Sequence, residues 1–237
     1  MKAIILNSGM GTRLEDLTKS NPKSLVEIKD NQTIFSNAIN ILSKFDIDEY
    51  IITTGYLSDV LESYALENFP NINFRFVNNP IYDKTNYIKS LDLIEDFDDD
   101  LILLHGDLVF TYQTAEKVIN SDFPSVVVDS TVPLPKDDFK AKVANGLVKY
   151  IGVDYFEDDA LECQAFYKLS NDFWKIWKER IREFCKNDKD NVYAENALNE
   201  LLKENILKLK GLDLKGSLCM EVDTKEDLQK AKKLMDE

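Results

Sequence analysis

Cysteine is scarce in this chain: three residues in 237, Cys163, Cys185 and Cys219, far apart and without C-x-x-C spacing. That excludes a disulfide framework and a cysteine-based zinc site. No apolar run reaches the ~20 residues a membrane span needs, and no signal-peptide pattern precedes the first apolar stretch. Positive charge is short as well, with 29 Lys and Arg against 43 Asp and Glu, a net charge of −14. This argues against nonspecific binding to nucleic acid or to an anionic membrane surface, since both are polyanions. No repeat, linker or low-complexity tract divides the chain. What remains is a cytoplasmic globular protein, which 44% apolar and 30% charged residues suit. The length allows a substantial core, and one domain over residues 1–237 is expected.

Strand and helix patterns alternate through the first half. The apolar run at residues 3–6 precedes a helical pattern at 33–45, a strand at 50–54, a helix at 58–68 and a strand at 73–77. A helix at 84–95, a strand at 101–104, a helix at 113–121 and a strand at 125–129 continue the series. Repeated β-α-β order predicts a Rossmann-like α/β fold, a mostly parallel sheet with helices on both faces. The second half adds a small antiparallel insertion: residues 140–144 and 147–152 flank Asn145-Gly146, a strong hairpin signal. A strand at 164–169, helices at 171–186 and 195–204, a strand at 217–222 and a helix at 225–235 complete the expectation. Trp174 and Trp177 read as the buried face of the long helix, and the acidic run Glu95–Asp100 as a solvated loop.

The first strand runs directly into Asn7-Ser8-Gly9-Met10-Gly11-Thr12-Arg13, and Pro22-Lys23 follows. Glycines let backbone N–H groups face a ligand at close range, and concave amide clusters bind phosphate. Arg13 and Lys23 add the cations a triphosphate needs. Two commoner loops are excluded. The dinucleotide fingerprint requires a third glycine where Leu14 stands, and the P-loop requires a Gly-Lys pair that is missing near the strand. For the G-x-G alone, a tight strand-to-helix turn remains the alternative.

Ligands in open α/β sheets bind beyond the carboxyl ends of the strands. Asp107 stands at such an end in His105-Gly106-Asp107, and Glu221 and Asp223 stand at another. Mg²⁺ is usually held by one or two carboxylates plus phosphate oxygens, which suits both places. Each Asp also has a structural alternative. Asp107 could cap the next turn, and Asp223 could N-cap the last helix, with Glu226 at capping-box distance. Strand alternation points Glu221 and Asp223 to the same side. Asn86 and Ser90, four apart, share one helix face.

Together, G-x-G-[ST]-R-L followed by P-K-x-L resembles the signature of the nucleotidyltransferases that activate sugar phosphates and amino-alcohol phosphates. The likeness covers nearly the whole chain. It implies the nucleotide-diphospho-sugar transferase-like fold, with Mg²⁺ held by Asp107 and Asp223 and by Glu221 as a third ligand. It implies Arg13 and Lys23 as catalytic cations, with Leu6, Asn7, Ser8, Gly9, Met10, Gly11, Thr12, Asn86 and Ser90 binding the nucleotide. The run from Asn78 to Leu91 is similar to the Asn-x-x-x-Ser segment of the phosphocholine and phosphonate branch, which generally uses CTP. This chain departs from the pattern in two places. Asn7-Ser8-Gly9 replaces Ala-Ala-Gly, and Lys89 replaces a Tyr, adding a cation that suits a more anionic acceptor. Lys140-Ala141-Lys142 and Val192–Ala197 resemble substrate-side regions of that branch, so Lys89, Lys140, Tyr193 and Glu195 are expected at the acceptor, with Lys142 beside them. Glu195 would pair with a cationic head group, and Tyr193 or Tyr155 would offer a cation–π face.

The expected activity is a Mg²⁺-dependent cytidylyl transfer from CTP to a small phosphorylated or phosphonate, phosphocholine-like acceptor. Pyrophosphate is released, and the product is activated for cell-surface polysaccharide or lipid decoration. A phosphate monoester is largely dianionic at neutral pH, so no general base is required and the single histidine, His105, need not serve as one. The rival enzyme is a sugar-1-phosphate nucleotidyltransferase using UTP or dTTP. A glycosyltransferase on a related fold would carry an Asp-x-Asp motif, which is missing around Asp107. A nucleotide-binding regulatory subunit without activity would have no chemical need for Arg13, Lys23, Asp107 and Asp223 together.

Overall fold

The computed structural model describes residues 1–235. Its first half comprises β1 (Lys2–Leu6), β2 (Glu27–Lys29), β3 (Gln32–Thr33), α1 (Ile34–Leu42), β4 (Glu49–Thr54), α2 (Ser58–Asn68) and β5 (Phe74–Asn78). Then come α3 (Tyr87–Asp92), β6 (Leu101–His105), β7 (Leu108–Phe110), α4 (Tyr112–Ile119) and β8 (Ser125–Asp129). The remainder is β9 (Lys140–Ala144), β10 (Leu147–Gly152), β11 (Ala160–Leu169), α5 (Asn171–Lys186), α6 (Ala194–Lys203), β12 (Lys210–Asp213), β13 (Cys219–Glu221) and α7 (Lys225–Leu234). Two short 3₁₀ segments, Thr12–Thr18 and Lys23–Leu25, link β1 to β2.

Nine strands form one sheet in the order β5-β4-β1-β6-β11-β8-β12-β10-β9. The β5, β4, β1 and β6 strands are mutually parallel, so their carboxyl ends share one edge. Their side chains alternate between faces. Ile4, Ile51 and Leu103 enter a core beneath α3, α5 and α6, while Ile5, Ile52 and Leu104 enter a second beneath α1, α2 and α4. Burial on both faces is why these strands read as continuous apolar runs. Trp174 and Trp177 lie in the first core, fully buried on α5.

Beyond β6 the parallel expectation gives way. The β11 strand inserts between β6 and β8, antiparallel to both, and β9 pairs with both β10 and β11. The β8 strand therefore is not the neighbour of β6 that its place in the alternating series implied. The α3 helix is shorter than its pattern, because residues before it are taken up by turns: Tyr82 N–H donates to Asn79 O and Thr85 N–H to Ile81 O. No helix among the described residues is long and apolar enough to cross a membrane.

Candidate active site

The parallel register of β1 places Leu6 opposite both Thr53 of β4 and His105 of β6. The Gly-rich loop and His105-Gly106-Asp107 therefore leave the sheet side by side. Asp223 arrives from far along the chain through a two-stranded ribbon in which β13 pairs antiparallel with β7, Glu221 opposite Leu108. Val222 N–H donates to Asp107 O at 3.0 Å, extending that ribbon between the two carboxylates. The helix-capping role open to Asp223 in the sequence is filled by its neighbour instead. Thr224 caps α7 in a capping box with Asp227, not Glu226. Asp107 stands in the turn between β6 and β7, and its Oδ2 accepts from Lys23.

Both cations of the loop region reach these carboxylates. Lys23 Nζ donates to Asp107 Oδ2 at 2.5 Å and also to Asp223 Oδ1, and Arg13 Nη2 donates to Asp223 Oδ2 at 2.6 Å. The glycines have distinct reasons for being here. Gly11 adopts φ +62°, and a Cβ on it would lie 2.8 Å from Lys23 Cβ, so its bareness lets the Lys23 stem pass. A Cβ on Gly106 would lie 2.1 Å from Asn7 Oδ1. Among the described residues nothing crowds Gly9, where a Cβ would enter open space.

Carboxylate oxygens of Asp138, Glu221 and Asp223 lie within 4.8 Å of one another, and a second group joins His105, Asp107 and Glu221 at the same spacing. Burial opposes charge on this cluster, and Asp107 and Asp138 add repulsion, so the Glu221 carboxyl is raised above its ordinary value despite its bond to His105. Burial also penalises the Asp107 carboxylate, but Lys23 and His105 hold it below the usual range. Lys23 is raised, because its two Asp partners outweigh its own desolvation. For His105, burial favours the neutral ring. The 3.1 Å contact of its Nδ1 with Glu221 and the nearby carboxylates win, raising it to about 9. Asp107 Oδ1 is buried without a hydrogen-bond partner among the described residues. That orphaned oxygen, beside the Glu221 carboxylate, is the kind of oxygen donor a hard divalent cation such as Mg²⁺ takes. Asp138 gave no signal in the sequence, since it lies in an irregular loop at no motif spacing.

A cavity of about 280 Å³ opens beside this cluster. Leu6, Asn7, Ser8 and Gly9 form one wall and Asn86, Tyr87 and Ser90 another, so α3 and the Gly-rich loop face each other. Met10 and Thr12 have exposed side chains outside that wall. Tyr87 and Asn79 also line the cavity, although neither was singled out from the sequence.

The expected acceptor residues divide. Tyr193 is 38% exposed and packs edge-on to Phe139 at 5.1 Å and near the cavity-lining Tyr87 at 6.0 Å. Glu195 turns inward, 2% exposed, and accepts from Tyr87 Oη and from Tyr167 Oη at 2.7 Å, so it has no free oxygen for a head group. Lys140 is fully buried, and its Nζ donates to Pro135 O and Lys136 O. It braces the loop that carries Asp138 instead of meeting an acceptor. Lys89 donates to Asp92 at 2.8 Å, outside the cavity wall. Lys142 sits over the Tyr155 ring at 5.7 Å and pairs with Asp159, which also occupies the aromatic face expected of Tyr155.

A family model described as "Nucleotidyl transferase" matches residues 2–131. CTP:phosphoglutamine cytidylyltransferase of Campylobacter jejuni is 31% identical, over 97% of this chain and 98% of its own. Choline-phosphate cytidylyltransferase of Streptococcus pneumoniae is 27% identical, over 99% and 98%. The solved structure of CTP:phosphocholine cytidylyltransferase from Streptococcus pneumoniae superposes with a TM-score of 0.76 at 20% identity, covering 99% of this chain and 98% of that one. At that identity the superposition establishes the nucleotide-diphospho-sugar transferase fold.

Proposed function

This chain belongs to the nucleotidyl transferase family, and from that membership we propose that it transfers a cytidylyl group from CTP to a small phosphorylated or phosphonate acceptor, releasing pyrophosphate. The observation that carries the proposal is the meeting of Asp107, Asp223, Lys23 and Arg13 beside a cavity at the carboxyl edge of the parallel strands. The cytidylyltransferases among its relatives support CTP as the donor.

The acceptor phosphate has a second pKa of about 6, so at neutral pH it attacks as the dianion. Its oxygen forms a bond to the α-phosphorus of CTP while the bond to the bridging α–β oxygen breaks. Pyrophosphate leaves with that electron pair, and no proton has to be removed. The protein's contribution is alignment and charge neutralisation. Lys23 and Arg13 offset the phosphate charge, and His105 anchors Glu221 behind them through Nδ1. Asp107 and Asp223, with Glu221 and Asp138 alongside, would hold a Mg²⁺, which supplies further neutralisation at the reacting phosphates. Tyr193, exposed and backed by the buried Phe139, offers with Asp138 an aromatic and acidic surface for an amine-bearing acceptor. This reading places the enzyme in the cytoplasm, supplying activated groups for surface polysaccharide or lipid.

The test is Mg²⁺-dependent pyrophosphate release with CTP, UTP, dTTP and ATP across phosphocholine, aminoalkyl phosphonates, phosphorylated amino acids and sugar 1-phosphates. Turnover is expected with CTP and a phosphorylated amine or amino acid. Replacing Lys23, Asp107 or Asp223 with Ala should lower it by about 10²–10³-fold, the typical cost of one transition-state electrostatic partner. Activity confined to sugar 1-phosphates with UTP or dTTP would overturn the proposal.

A further inference from the structure

The two ends of the cavity differ in chemistry. Toward Lys23 and Asp107 it is ionic, and toward Ser8, Asn79, Thr85 and Ser90 it is uncharged and lined by hydroxyls and an amide. A triphosphate belongs at the first end, which leaves the second for the neutral base.

Polar groups at the second end form one continuous chain. Asn79 Nδ2 donates to Ser90 Oγ at 3.1 Å, Ser90 Oγ to Ser8 Oγ at 2.9 Å, and Ser8 Oγ to Thr53 Oγ1 at 3.0 Å. All four residues are buried, and Ser8, 7% exposed, is the most open of them. The direction of the chain is anchored at its head. Asn79 Oδ1 accepts from Ile81 N–H, and Asn79 Nδ2 also donates to Thr85 Oγ1, whose own hydrogen goes to Ile81 O. Turning the amide over would set donor against donor at Ile81. At the tail, Thr53 Oγ1 accepts from Ser8 Oγ and from the Asn7 backbone N–H, which fills both its lone pairs.

A hydroxyl carries one hydrogen and two lone pairs. Ser8 gives its hydrogen to Thr53 and one lone pair to Ser90. It therefore has one lone pair and no hydrogen left for a ligand. Cytosine carries an N4 amine donor where uracil carries the O4 acceptor. We infer that the chain Asn79–Ser90–Ser8–Thr53 sets the base preference, with Ser8 presenting an acceptor that pairs with the cytosine amine and opposes the uracil carbonyl. This rests on the reading of the cavity as a nucleotide site and names the groups that make the nucleotide CTP. Opposing two buried acceptors leaves both unpaired, which corresponds to about a ten- to hundredfold loss of affinity.

Titration calorimetry with CTP and with UTP, each with Mg²⁺ and no acceptor, tests it on the wild type, Ser8→Ala and Thr53→Val, with circular dichroism to establish folding. The wild type should bind CTP at least about tenfold more tightly than UTP. Ser8→Ala deletes the acceptor and frees the Ser90 hydrogen to turn toward the cavity. Thr53→Val keeps Ser8 but removes the acceptor of its hydrogen, so Ser8 becomes able to donate. Both variants should bring the CTP:UTP ratio to about one or below, and Thr53→Val should tighten UTP binding outright. A ratio unchanged in both folded variants overturns the inference and leaves the nucleotide reading standing. So does a wild type that binds CTP and UTP alike. A wild type that binds neither overturns the nucleotide reading itself, and the inference with it.

Discussion

Single positions in the site answer to different neighbours. Gly11 and Gly106 are bare because Lys23 and Asn7 pass over them, so they serve the protein's own packing. Gly9 has no such neighbour, and it stands on the cavity wall. Gly9→Val should therefore fold with little change in Tm while losing most nucleotide affinity, measured by calorimetry beside a thermal melt. A folded variant that binds nucleotide normally would remove this stretch of loop from the site. The sequence exposed Gly9 and Gly11 as a spacing, but not which one faced the ligand, because that depends on where Lys23 returns from residues away. Asp223 shows the same limit. Its local sequence allowed a cap or a ligand, and the tertiary structure settles the cap on Thr224. Lys89, Lys140 and Glu195 were singled out by position in a motif. Each has its polar atoms committed to a partner that sequence spacing does not reveal.

Elements were legible where a periodic apolar pattern was long enough to declare itself. The α5 helix spans Asn171–Lys186, and the hairpin turn has φ 53° at Asn145 and 76° at Gly146, the positive values its Asn-Gly pair favours. The β7 strand is three residues long and β12 reads Lys-Gly-Leu-Asp, so neither had a pattern to find. They are strands because β13 and β8 offer edges to them. How α3 is held also depends on tertiary contact. Lys178 of α5 is buried, and its Nζ donates to Leu91 O and to Asp92 O at the end of α3. Burial, reinforced by repulsion from Arg182, lowers Lys178 to about 8 from 10.5. Between those values the unfolded chain binds a proton that the folded one has released, so this group makes stability rise with pH across that window. Urea unfolding of wild type and Lys178→Met from pH 8 to 10.5 should show the difference moving toward the wild type, by up to about 3 kcal/mol. A difference that stays flat would show that the Lys178 proton is retained in the fold.

For the whole molecule, a net charge of −14 faces a polyanionic substrate. Attraction at the site is local, through Lys23 and Arg13, whereas the long-range field is repulsive. The Debye length shrinks from about 30 Å at 0.01 M salt to about 10 Å at 0.1 M. The association rate of nucleotide in stopped-flow should therefore rise over that range, and a rate that falls with salt would mean that local cations govern the approach. The alternating α/β class, the Gly-rich loop after β1 and the acidic residues at two strand ends are legible in the chain's own pattern. These follow from local periodicity and from which side chains can bind phosphate or metal. The insertion of β11 beside β6, the pairing of β7 with β13 that brings Asp107 to Asp223, and the arrival of Asp138 beside them emerge with the folded chain. Those contacts join residues more than sixty positions apart. Their partners are chosen by sheet edges and packing surfaces that exist only once the core has formed.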